Sequence, residues 1–113
     1  MDNFIKKHLQ DILFSIEEID CYFGDSPKIY DEIFNDLKLR RAIERNIEII
    51  GEAMNRILKI DNKIAITNAR RIVDARHYII HGYDSLSPDI LWSMVVNHLP
   101  LLKKEVTILL NKG

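Results

Sequence analysis

Residues 3–23 read NFIKKHLQDILFSIEEIDCYF. Within this stretch Ile5, Leu9, Ile12, Ile16, Ile19 and Phe23 recur at intervals of four, three, four, three and four. That spacing gathers the apolar side chains on one stripe of a helix, whereas a half-buried strand needs alternation by two. It predicts an amphipathic helix over 3–23, capped by Asp2 or Asn3 and stopped by Gly24. The same period governs most of the remaining chain. Leu39, Ile43, Ile47, Ile50, Met54 and Ile57 stripe a helix over about 36–59, with Asn35 or Asp36 as its cap. Gly51 lies in its middle, at a cost of about 1 kcal/mol relative to alanine. Close approach of another helix is the usual compensation.

Shorter signals fill the gaps. Ser26-Pro27 places a capping residue before a proline at a first helical position, predicting a short helix through Phe34. Thr67 is the expected cap of a helix over about 68–82, with Ile72, Ala75, Ile79 and Ile80 inward and Gly82 at its end. Ser87-Pro88 repeats the cap-and-proline signal and starts a last helix to about Asn111. Pro100 removes the amide that would bond the Val96 carbonyl, so a kink is expected there. Only Ile64-Ala65-Ile66 hints at a strand, and weakly. The reading is an all-α fold: a four-helix up-and-down bundle with one extra short helix, in a single domain over 1–113.

Composition bounds the function. With 113 residues, 47% hydrophobic and 29% charged, the chain can bury a core without disulfides or metal and is not a disordered tail. No apolar run approaches the ~20 residues of a membrane span. The single cysteine, Cys21, cannot close an internal disulfide, and no leader is visible, so a cytoplasmic protein is expected. The net charge of -1 conceals an uneven distribution. Residues 1–37 hold three basic and nine acidic residues, 38–82 hold ten and five, and 83–113 balance at three and three. All seven arginines fall in the basic middle. Arginine grips phosphate through a planar fork. Pairing with neighbours such as Glu44 and Glu48 is the plainer use of the same side chains.

Chemistry-bearing residues concentrate between Asp74 and Tyr83: Asp74, Arg76, His77, Tyr78, His81 and Tyr83. At about 100° per residue, His77 and His81 lie about 40° apart, with Asp74 one turn earlier on that side. A helix carrying these groups beside Ile79 and Ile80 cannot bury every face in a small monomer, so it suits a subunit interface.

Arg76, four residues, His81, one residue and Tyr83 form an Arg-x4-His-x-Tyr motif. It resembles that of the HEPN superfamily of nucleotide-binding domains, and within it the HepT-like toxin ribonucleases. Ile49-Ile50-Gly51-Glu52-Ala53 resembles the family's long-helix signature, and Leu91-Trp92 and Leu99-Pro100 resemble pairs in its last helix. His77 stands where Asn is common, and Ala69 lies near the place of a frequent tryptophan. The resemblance implies a homodimer whose motif helices meet across a cleft and which cuts RNA without metal or cofactor, in many cases leaving a cyclic phosphate. It implies Arg76 and His81 as the catalytic pair. It also implies Tyr83 as a tyrosine adenylylated (AMPylated) by a partner minimal nucleotidyltransferase of the MNT type, the antitoxin of a toxin–antitoxin pair.

The residue types suit that chemistry. RNA supplies its own 2′-hydroxyl nucleophile. Cleavage needs a base, an acid and a cation over the phosphorane. Histidine can be acid or base near neutral pH, and arginine stays charged. His77 and Asp74 are supporting candidates, and Arg70, Arg71 and Arg45 are candidate guides for RNA. Two other readings compete. His77-x-x-x-His81, with Asp74, has the spacing of a helical metal site, although Tyr78 stands where a zinc protease has its glutamate. A non-catalytic nucleotide- or RNA-binding partner of a nucleotidyltransferase would keep the same fold. His8 and His98 read as satisfied core or surface histidines, Tyr22 and Tyr30 as core-edge residues, and Trp92 as a core anchor.

Overall fold

The structure, a computed structural model, describes residues 1–80 and 88–112. It consists of helices α1 (Asn3–Phe23), α2 (Tyr30–Asn35), α3 (Leu37–Ile60), α4 (Ala69–Ile80), α5 (Pro88–Ser93) and α6 (Leu99–Lys112), with a π-helical turn, Met94–His98, joining the last two. No strand occurs among the described residues, so Ile64-Ala65-Ile66 is irregular chain. The Cα extents of 41 × 33 × 19 Å fit two layers of helices, since packed helices lie roughly 8–10 Å apart.

The predicted stripes are the core. Leu9, Ile12, Ile16 and Ile19 of α1 face Ile43, Ile47, Ile50, Met54 and Ile57 of α3, all essentially inaccessible to water. Ile72 and Ala75 of α4 join them, and Ile79 is half-buried against the cluster. Asp2 caps α1 by accepting the amides of Phe4 and Ile5 at 2.8 and 3.0 Å. Gly24 ends the helix at φ +57°, where a Cβ would be strained. Asp36 caps α3 through the amide of Leu39. No described helix is long and apolar enough to cross a membrane.

Three local expectations need correction. Ser26-Pro27 does not open α2. The Ser26 amide donates to the Phe23 carbonyl, closing the turn after α1, and Ile29 is extended, so the helix begins only at Tyr30. There Tyr30 stacks on Phe34 and meets Trp92 edge-on. Thr67 does not cap α4. Its amide and hydroxyl donate to the Glu105 carboxylate of α6, the hydroxyl at 2.8 Å. The first helical bond of α4 runs from Ile72 to the carbonyl of Asn68. Finally, Trp92 is only half-buried, while its neighbour Leu91 holds the core position.

Pro100 disturbs the last helix as expected, but the backbone responds with a wider turn. Just before the proline the Leu99 amide reaches back five residues to the Met94 carbonyl. A π-turn adds one residue and rotates the helix beyond it relative to the helix before it. Met94 and Val95 at the start of the π-turn, and Leu99, Leu102 and Val106 after it, are therefore all buried.

Gly51 carries the close approach that its position implied. A Cβ there would lie 2.5 Å from Arg76 Cβ and 3.1 Å from the Ile72 carbonyl. Both neighbours are parts of α4 too rigid to yield without moving that helix. Gly51→Ala is expected to destabilise the protein by roughly 2 kcal/mol through overpacking, measured by urea unfolding at fixed protein concentration. Helix propensity alone predicts a gain of about 1 kcal/mol, so an unchanged or raised midpoint would contradict the packing argument.

Candidate active site

Arg76 sits at the crossing of α3 and α4, and two consecutive residues of α3 determine its pose. Gly51 leaves room for the Arg76 stem to lie on the α3 backbone. Glu52 then reaches the guanidinium: Oε2 accepts from Nη2 of Arg76 in an ion pair. The other oxygen, Oε1, accepts from Nε of Arg56 one turn along α3 at 2.9 Å. One carboxylate is thus shared by two guanidinium groups, and the trio keeps a net charge of +1. The neighbouring guanidinium groups, Arg56 foremost through its hydrogen bond, hold the Glu52 carboxyl below its ordinary value, against the opposing effect of burial.

Arg76 lies at the edge of an open cleft of about 480 Å³ between α1 and α3, which also holds His8, Asp11, Arg45 and Glu48. Its side chain is 20% exposed, and its Nε is buried without a hydrogen-bond partner. An arginine has five N–H donors in a rigid fork. Glu52 engages one edge of this fork and so fixes its plane. Such a group can bind an incoming anion without first being oriented, which lowers the entropic cost of binding.

The other predicted residues divide between two sides of α4. Asp74 is two positions from Arg76, about 160° around the helix, and it is exposed. It lines a second groove with Arg71 and His98. His77 is exposed on α4. Arg70 is exposed and borders a surface hollow with Asn62 and Thr67. Arg45 pairs with Glu48 at 3.1 Å, and Arg41 with the buried Glu44 at 2.9 Å, so the plainer use of these arginines holds locally. His81 and Tyr83 lie outside the described residues. The structure therefore brings Arg76 to α3 and sets Asp74 apart from it; the metal-site reading, which needs His81, also falls outside.

Sequence reasoning gave Glu52 no role beyond its place in the Gly51-Glu52-Ala53 signature. The signal was present: a mid-helix glycine marks where α4 comes closest, and the residue beside it is placed to meet whatever α4 brings. The expectation that His8 is satisfied also needs correction. It is buried beside the cleft, edge-on to Phe4, and its Nε2 has no hydrogen-bond partner. Burial, followed by the adjacent Lys7, pushes its pKa down and favours the neutral ring.

A depressed carboxyl pKa stabilises the fold above the unfolded value and loses that contribution as pH falls through the folded one. Glu52→Gln should therefore lower stability at pH 7, by less than about 1 kcal/mol because the pair is partly exposed. The deficit should shrink as pH drops below the ordinary 4.5. Urea unfolding of both proteins at neutral and acid pH measures this; an equal deficit at both would contradict the assignment.

Comparison with known proteins places the chain in a family. The model of the HepT-like ribonuclease family matches residues 12–109. "Putative RNase MJ1380" of Methanocaldococcus jannaschii is 34% identical over 92% of this chain and 94% of its own length. "Putative RNase MJ0127" of the same organism is 29% identical over 90% and 84%. "Putative RNase TTE0752" of Caldanaerobacter subterraneus is 31% identical over 74% and 75%. No solved structure matches. The arginine of the Arg-x4-His-x-Tyr motif is seated on the glycine and glutamate of the long helix, and the family model spans both: the chain belongs to the HepT-like ribonuclease family.

Proposed function

We propose that this protein is a metal-independent endoribonuclease, the toxin of a HEPN/MNT toxin–antitoxin pair, acting as a homodimer of single-domain chains. The observation that carries the reading is the Arg76 guanidinium, seated on Gly51, paired with Glu52 and still partly exposed at the cleft. The family supports the reaction class, and its relatives carry RNase in their names.

Arg76 holds the scissile phosphate and offsets the charge that builds on its oxygens. His81 takes the proton of the 2′-hydroxyl as that oxygen attacks phosphorus. A histidine in the acid form returns a proton to the leaving 5′-oxygen, and a cyclic phosphate remains. One imidazole cannot hold both proton states at once, and a two-fold site supplies a second His81. His77 and Asp74 support the motif helix, and Arg45, Arg70 and Arg71 guide the strand. Silencing follows from Tyr83. Its phenolic oxygen attacks the α-phosphorus of ATP, pyrophosphate leaves, and the tyrosyl-AMP sets a negative charge near Arg76 where substrate phosphate would bind.

Purified protein should cleave a mixed RNA in the presence of EDTA and sediment as two chains of 13.3 kDa each. Arg76→Ala and His81→Ala should each lose at least roughly 100-fold in rate, the scale of general acid–base and phosphate-clamp contributions. Full activity in both variants would refute the roles. Incubation with the cognate nucleotidyltransferase and ATP should place AMP on Tyr83, located by peptide mass spectrometry, and abolish cleavage. Modification elsewhere would refute the switch.

A further inference from the structure

The second groove, on the other side of α4 from the Glu52 contact, has no part in the phosphate chemistry assigned to Arg76 and His81. α4 packs closely on α3, whereas α5 and the π-turn stand off from it. They leave a groove of about 310 Å³ whose apolar lining is Ala75 of α4, Ile90 of α5 and Met94 of the π-turn. Three polar groups border it. Arg71 and Asp74 lie one turn apart on α4, and His98 faces them from the π-turn. Arg71 does not pair with Asp74, although three positions apart on a helix would allow it. Its Nη1 turns instead to Nε2 of His98 at 3.5 Å, and Nδ1 of His98 lies 3.3 Å from the Asn68 amide. Both Asn68 Nδ2 and the Arg71 guanidinium are donors, so each presents an N–H to one nitrogen of the His98 ring. Burial and then Arg71 lower the His98 pKa, which favours the neutral ring. Asp74 is left exposed, with no ion pair among the described residues.

We propose that this groove is a nucleobase subsite that selects guanine in the RNA strand at a nucleotide removed from the cleaved phosphate, since the groove and Arg76 open on opposite sides of α4. The assignment rests on the ribonuclease reading, because the groove shares α4 with Arg76. Apolar walls with a few convergent polar groups are what a small planar ligand requires. Asp74 accepts the two N–H groups of the guanine Watson–Crick edge, and Arg71 donates to O6 and N7, the commonest specific contact of an arginine with a base. The two helix positions lie about 5–6 Å apart at Cβ, the span needed to meet both edges of one purine. Adenine would turn an acceptor nitrogen toward the Asp74 carboxylate and is disfavoured. Ile90, the exposed apolar residue of the lining, receives the face of the ring.

The test reads a ratio within one reaction. A randomised RNA is digested with the full-length protein, and the sequence on both sides of each cut is read. Wild type should prefer guanine over adenine at one position set back from the cut by about tenfold, the scale of one bidentate base contact. Asp74→Asn replaces one acceptor oxygen with a donor and should reduce that preference to about twofold or less. In a second experiment, guanosine monophosphate, but not adenosine monophosphate, should shift the His98 ring resonances of the unmodified protein. Cleavage with no guanine preference, or a preference unchanged in Asp74→Asn, overturns the subsite while the nuclease reading stands. A guanosine-specific His98 shift in a protein that cuts no RNA supports the groove and overturns the nuclease reading instead.

Discussion

The absence of a side chain at Gly51 is the constraint on which this architecture turns. Any Cβ there would collide with the stem of Arg76 and crowd the carbonyl of Ile72, so α3 and α4 reach their separation only because that space is empty. The long helix accepts an intrinsic penalty of about 1 kcal/mol for a central glycine. In return the two backbones come into contact at the position from which the motif arginine departs. The next residue, Glu52, then lies within reach of the guanidinium. Packing and electrostatics are joined at this point: the same crossing that closes the core also orients the cation.

That arrangement explains how a helix can carry an arginine into a partly buried place at modest cost. Burying an unpaired charge is expensive, and pairing it fully would leave nothing for a ligand. Glu52 resolves the conflict by being shared. Divided between Arg56 and Arg76, it compensates desolvation without neutralising both guanidinium groups. Elsewhere in the basic middle of the chain, Arg41 and Arg45 are matched by Glu44 and Glu48. The excess positive charge of residues 38–82 is thus less available than its count implies, and one unit of it remains where one carboxylate serves two cations.

The core was legible in the sequence because it depends on periodicity alone. The stripes of α1 and α3 are buried except at Leu39, which is half-buried at the start of α3, and both aspartate caps act as aspartate caps do. The starts of α2 and α4 were not legible, because Ser26 and Thr67 each had a rival partner that only the fold provides: the end of α1 for one, and Glu105 for the other. Pro100 announced a break, but not that the helix would answer with a π-turn that brings His98 toward Arg71. Arg76 was found through its motif. Glu52 was visible only as a letter of the long-helix signature, since an ion pair between positions 52 and 76 appears only once the helices cross.

The central claim is that α3 orders Arg76 for phosphate through Glu52. It is tested most directly by a double-mutant cycle on binding of a fully 2′-O-methylated RNA, which lacks the nucleophile and cannot be cut. Arg76→Ala should weaken binding by about tenfold or more, as expected for loss of a charge-assisted contact. Glu52→Gln should weaken it in the wild-type background and have almost no further effect once Arg76 is gone. Equal losses from Glu52→Gln in both backgrounds, or wild-type affinity in Arg76→Ala, would contradict the account.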